Sequence, residues 1–166
     1  MMILYHGSDH IVSHPEICPS IRGLDFGAGF YMTTDEGQAR RFSKSVYARG
    51  NRDREARSVA VFVFEENTAQ TALGILKYES ADADWLDYVV RNRMMEEMVA
   101  EGYDLVIGAV ANDDVMPVIQ ALMSGFLTRE AALVALKTKA LKDQYCFKTV
   151  KALGFLRFMS GYEVAE

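Results

Sequence analysis

The chain has 166 residues, half of them hydrophobic, with a formal net charge of −5 and a pI of about 5.3. That length suits one domain spanning 1–166, and so large an apolar share builds a core without disulfides or structural metals. A mildly acidic chain lacks the electrostatic footprint of a generic nucleic-acid binder, although a nucleic acid gripped locally stays open.

The two cysteines, Cys18 and Cys146, lie far apart. They make no disulfide framework, which points to a reducing, cytoplasmic setting. The N-terminus lacks a basic segment followed by a long apolar run, so no signal peptide is expected. No stretch reaches the ~20 apolar residues of a membrane span.

In chain order, residues 2–6 read as a strand that stops at His6-Gly7. A long loop follows, punctuated by Pro15, Pro19, Gly23 and Gly27. A loop of that length inside a compact domain is usually functional or disordered. Residues 29–33 form a short second strand. A helix over 35–48 comes next, with capping-box spacing between Thr33 and Glu36, and Ala39, Phe42 and Val46 on its inner face. Residues 50–57 make a charged loop. Residues 58–65 are β-branched and aromatic throughout, a strand covered on both faces. The stretch 68–79 is ambiguous and holds a short strand at 75–78. A helix over 83–99 turns Trp85, Leu86, Val89 and Val90 inward. A buried strand over 103–110 leads into Asn112-Asp113-Asp114, which opens a helix running to 123. Thr128 caps a helix to 141. A strand over 144–149, a helical turn over 150–153 and a last strand over 155–164 complete the chain. Strands and helices mix without a regular βαβ beat, so the expected class is α+β.

Several patterns are weak when taken singly. Gly27-Ala28-Gly29 lacks the third glycine of a dinucleotide fingerprint, since Met32 stands there and no helix opens. Either glycine could equally serve a tight turn. His6, His10 and His14 are four apart, but Gly7, Ser8 and Pro15 oppose a helix that would stack them, so no metal site is expected. Ser8 has no nucleophile-elbow context, and Cys146 reads as a small buried hydrophobe. His6 fits either a core histidine or a ligand-facing one. Tyr31 fits packing, and Gln144 fits an ordinary polar strand position.

Taken together, three pieces form a constellation: Tyr5-His6-Gly7-Ser8, Gly29-Phe30-Tyr31-Met32-Thr33, and Gln144 opening a late strand. In order and separation they resemble the His–Tyr–Glu class of the ADP-ribosyltransferase superfamily, which contains diphtheria toxin and the poly(ADP-ribose) polymerases. More narrowly, the chain resembles a bacterial toxin-type branch of it. Asp25 to Tyr31 matches that branch's Asp-Phe-Gly-x-Gly-Phe-Tyr segment, and Asn92-Arg93 matches an Asn-Arg pair after a Trp-Leu helix. Asp113-Asp114 and the Gln144-x-x-Phe147-x-Thr149 segment match further along.

The resemblance implies a split, mostly antiparallel sheet with flanking helices and a cleft for NAD+ as co-substrate, without a metal. It implies that His6 bonds adenosine-ribose hydroxyls, that the Gly7 backbone reads the nicotinamide carboxamide, and that Ser8 reaches a ribose hydroxyl. Gly29 and Phe30 would line the same cleft. Tyr31 would stack on nicotinamide, where an aromatic face suits a cationic ring. His6, Tyr31 and Gln144 would be the catalytic set. The implied reaction is transfer of one ADP-ribose to a macromolecular acceptor with release of nicotinamide, as the toxin of a toxin–antitoxin pair, with an antitoxin protein as partner.

The third position departs from the superfamily's glutamate. Gln144 can accept a hydrogen bond but carries no charge to offset a ribose cation. Asp143 is adjacent but points to the other face of a strand. Asp25, Asp113 and Asp114 are the carboxylates that loops could bring in. Two other functions fit the same fold. One is a non-catalytic NAD+, ADP-ribose or partner-binding module. The other is an NAD+-dependent remover of RNA 2′-phosphate, for which Arg22, Arg40, Arg41 and Arg93 are the available cations.

Overall fold

The computed structural model describes residues 1–17, 19, 23–50, 55–94, 102–111, 115–137 and 141–165. Seven strands and six helices run through them in the order β1 (Met2–Ser8), β2 (Phe30–Met32), α1 (Glu36–Arg49), β3 (Ser58–Phe64), α2 (Glu66–Ala72), β4 (Ile75–Lys77), α3 (Ala83–Arg93), β5 (Leu105–Ala109), α4 (Met116–Met123), α5 (Arg129–Leu136), β6 (Asp143–Phe147), α6 (Val150–Leu153) and β7 (Leu156–Glu163). The class is α+β.

The strands divide into two sheets, β1-β3-β7 and β2-β6-β5-β4. Every pairing is antiparallel except β4 with β5. Among the described residues one bridge joins the sheets: Tyr5 and Thr33 exchange both backbone hydrogen bonds, at 2.8 and 3.0 Å.

Side-chain alternation along the strands explains how the layers stack. Leu4, Ala60, Phe62 and Phe64 of the first sheet share a core with Phe30, Met32, Leu105, Tyr145 and Phe147 of the second. The opposite face of the second sheet, at Val106 and Cys146, packs on Trp85, Leu86, Val89, Ile119, Ala132 and Leu136 from α3, α4 and α5. Strand β6 therefore feeds both cores. Strand β3, between β1 and β7, is buried at all seven positions. That is why its sequence has no polar beat.

Helix α1 lies against β1 at Gly7, where a Cβ would stand 2.1 Å from the Ala39 carbonyl oxygen. This approach demands small residues on the helix too, so its buried positions are Ala39 and Ser43, while Phe42 is 47% exposed. The expected Ala39–Phe42–Val46 inner face is corrected accordingly. So is the cap: Asp35, not Thr33, receives the Gln38 N–H at 2.6 Å. Helix α2 fills the stretch that the sequence left ambiguous. In α3, Asp82 caps Trp85, and Met94 closes the C-terminus. The expected continuation to 99, the Asp113-Asp114 helix start and residues 138–140 of the α5 region lie outside the described residues. Among the described residues no helix is long and apolar enough to cross a membrane.

Candidate functional site

The site is built where β1 and β2 part. Tyr5 gives both its backbone groups to Thr33, so Gly7, two residues on, turns its peptide groups to the same edge. A continued antiparallel ladder would place the Gly7 N–H on the Tyr31 carbonyl. That carbonyl is taken instead by His6, whose Nδ1 lies 2.7 Å away. A carbonyl oxygen accepts hydrogen bonds and cannot donate, so Nδ1 carries the proton and Nε2 keeps its lone pair. The imidazole acts as a wedge that leaves the Gly7 N–H and C=O facing the seam between the sheets.

The ring is held from behind by Phe30, stacked at 4.2 Å between centroids. Dehydration dominates its titration and pulls the His6 pKa to about 4, against the proton-retaining bond to Tyr31. His6 is neutral at physiological pH, with one nitrogen anchored and one able to accept.

Tyr31 pairs with Cys146 of β6, so its side chain shares a face with Cys146 and with Gln144, its diagonal neighbour. Diagonal positions on one face stand about 7–8 Å apart, within reach of long side chains. The Tyr31 hydroxyl donates to the Gly27 carbonyl at 2.6 Å and accepts the Phe26 N–H at 3.1 Å. Burial raises its pKa well above the usual value. The phenol thus clasps the 25–28 loop while its partly buried ring lies over the second core.

That loop explains its own sequence. Gly27 has φ +74, which a turn there needs. Asp25 and Phe26 are buried, and Gly23 lies so near Arg93 that a Cβ would stand 2.2 Å from its carbonyl oxygen. Lys148 donates its ammonium to the Phe26 carbonyl. The paired motifs at 25–31 and 92–93 are therefore one structural unit, joined by Arg93, whose Nε and Nη2 grip Asp25 Oδ1 at 2.7 and 2.5 Å.

Gln144 is 6% exposed and belongs to the same unit. Its Nε2 donates to Asp25 Oδ2 at 2.8 Å and to the Ala109 carbonyl at 3.1 Å. Two acceptors on one atom identify it as the nitrogen. None of the described residues donates to Oε1. No side-chain nitrogen or oxygen among them is both sealed from solvent and without a partner.

Not every expected site residue sits at this seam with a free group. Phe30 is core and supports His6. Gly29 is required by packing, since a Cβ there would stand 2.5 Å from Cys146 Sγ. Ser8 is buried, with its hydroxyl 3.4 Å from Asp9. No hydrogen bond joins His6 to Gln144; His6 comes from the inter-sheet core, Tyr31 and Gln144 from the α3 side.

Asp143 faces away, as alternation predicts, and accepts from Thr33 and Thr34 at 2.6–3.0 Å. His10 and His14 bond Asp9 and Ser13 in the loop. Among the described residues no three of His, Cys, Asp and Glu converge to hold a metal. Burial pushes the Cys146 thiol up to about 11, so it is not a nucleophile near neutral pH. Asp113, Asp114 and Arg22 lie outside the described residues. Sequence reasoning missed the Arg93–Asp25–Gln144 unit. Asp25, Arg93 and Gln144 each stood out in the sequence, but nothing in it joined them to one another.

A search of curated proteins finds no match to the chain. A family profile does match, over residues 2–158. That span takes in every element that builds the seam, and the chain accordingly belongs to the family described as "Protein of unknown function (DUF3990)".

Proposed function

We propose that this protein is a mono-ADP-ribosyltransferase, taking ADP-ribose from NAD+ to a macromolecular acceptor and releasing nicotinamide. The observation that carries this reading is the His6–Tyr31 bond at 2.7 Å across the sheet seam. It leaves the Gly7 N–H and C=O side by side, a donor and an acceptor that complement a primary carboxamide such as that of nicotinamide. It also leaves His6 Nε2 as an acceptor for a ribose hydroxyl. Tyr31 offers an aromatic surface for the pyridinium, and Gln144 Oε1 is an acceptor for a second ribose hydroxyl.

In the proposed reaction the nicotinamide–ribose bond breaks and positive charge builds on the ribose. The chain's own contribution is to position the sugar and its leaving group. In this reading the protein works in the cytoplasm as the toxin of a toxin–antitoxin pair, and an antitoxin protein covers it until release.

Nicotinamide release by the purified protein tests the proposal. Release should fall roughly 100-fold or more in Tyr31→Ala, His6→Ala and Gln144→Ala, the range seen when one preorganised polar group is removed. A wild-type rate no higher than that of these variants, with or without acceptors, would overturn it.

One observation favours a second reading, a module that binds NAD+ or ADP-ribose without turnover. The carboxylate beside Gln144 is already neutralised by Arg93. Calorimetry separates the two: saturable NAD+ binding with no nicotinamide released supports the binding module.

A further inference from the structure

We propose that Asp25 and Gln144 work as one unit, in which Asp25 is a positioning residue. It requires an amide at position 144 and turns Gln144 Oε1 into an oriented acceptor for a hydroxyl-bearing ligand.

The hydrogen bonds of the pair lead to this directly. Asp25 Oδ1 takes both Arg93 donors, at 2.7 and 2.5 Å. Its Oδ2 takes the Ala111 N–H at 2.9 Å and Gln144 Nε2 at 2.8 Å. Among the described residues the carboxylate thus has four donors. The Ala109 carbonyl receives Trp85 Nε1 at 3.0 Å as well as Gln144 Nε2 at 3.1 Å. Both hydrogens of the Gln144 amide nitrogen are therefore engaged. Rotating the amide by half a turn would set its oxygen against a carboxylate and a carbonyl, so the orientation is locked.

The lock has two consequences. Oε1 is held at a fixed angle, with no donor to it among the described residues. It is also polarised, because a carboxylate accepting from the N–H₂ end draws electron density toward the oxygen end, as in any hydrogen-bonded chain in a low-dielectric site. A glutamate at position 144 would instead set two carboxylates within hydrogen-bond distance, where one must keep a proton. The glutamine is thus matched to the aspartate. Identifying the hydroxyl as a ribose hydroxyl of NAD+ rests on the function proposed above; the locking of the amide does not.

The test uses Gln144→Glu, Asp25→Asn and the double variant in the full chain, melted at pH 8 and pH 5 against wild type. Among the described residues, the other ionisable groups around position 144 are Arg93 from α3, Cys146 on β6, Lys148 just after it, Tyr31 on β2, and Asp143 on the opposite face of β6. His6 stands across the seam. Wild type shares them all, so subtracting its melt at each pH removes their contribution. Gln144→Glu should melt roughly 5–10 °C below wild type at pH 8, with at least half of that gap closing at pH 5 as the introduced carboxyl holds its proton. The double variant's gap should be the same at both pH values. A Gln144→Glu gap that ignores pH, or one that persists with the same pH dependence in the double variant, overturns the lock.

The ligand half of the inference is read by NAD+ calorimetry at pH 7.5, where Asp25→Asn should bind about tenfold more weakly than wild type. Equal binding by the two overturns that half. Failure of wild type to bind NAD+ at all would sink the proposed function, while the melting series would still decide the lock.

Discussion

His6 sits at the seam as a neutral base, and that has a price in acid. Its unfolded side chain takes up a proton near pH 6.5, while the folded ring, dehydrated against Phe30 and the inter-sheet core, takes one only near pH 4. Between those values the unfolded state binds more protons. Stability is thus fully present above pH 6.5 and lost as pH falls toward 4, by about 3 kcal/mol in all. Urea denaturation of wild type and His6→Gln across pH 4–7 checks this: the variant should lose most of the slope. An equal slope in both proteins would place the acid sensitivity elsewhere. Arg93 makes a second prediction at this scale. Asp25 is only 5% exposed and draws its countercharge from Arg93. Arg93→Ala leaves that carboxylate buried without its cation and should cost about 3 kcal/mol of unfolding free energy, read by the same denaturation.

Among the elements, α1 and the loop before β2 show what patterning could and could not reveal. The strands β3 and β6 and the helix α6 were legible because their apolar runs and caps answer to local rules. Phe42 misled because helical periodicity cannot see how closely another backbone approaches. At Gly7 the approach is closer than any side chain allows, and the inner face of α1 narrows to alanine and serine. Gly7→Ala should therefore push α1 off β1 and destabilise the fold by roughly 2–3 kcal/mol. Hydrogen exchange should show the loss of protection concentrated in α1 and β1; uniform loss, or none, would contradict that account. The Asp25 loop was unreadable for a related reason. Its partners, Arg93, Ala111 and Gln144, lie 68, 86 and 119 residues away along the chain. No local spacing rule connects them.

Across the whole molecule, two sheets meet at one bridge among the described residues, Tyr5 with Thr33. The α+β class was legible from the irregular mixing of strands and helices. The division into two sheets depends on which edges pair, and at the seam that is settled by one imidazole taking a carbonyl from a ladder. The three sequence pieces reach that seam unequally. His6 and Tyr31 share a hydrogen bond, and Tyr31 and Gln144 share a strand face.

A crystal structure with NAD+ tests this most directly. The account predicts the nicotinamide ring against Tyr31, its carboxamide on the Gly7 N–H and C=O, and a ribose hydroxyl on Gln144 Oε1. A dinucleotide bound away from the β1–β2 seam, or a seam left empty at saturating NAD+, would contradict it.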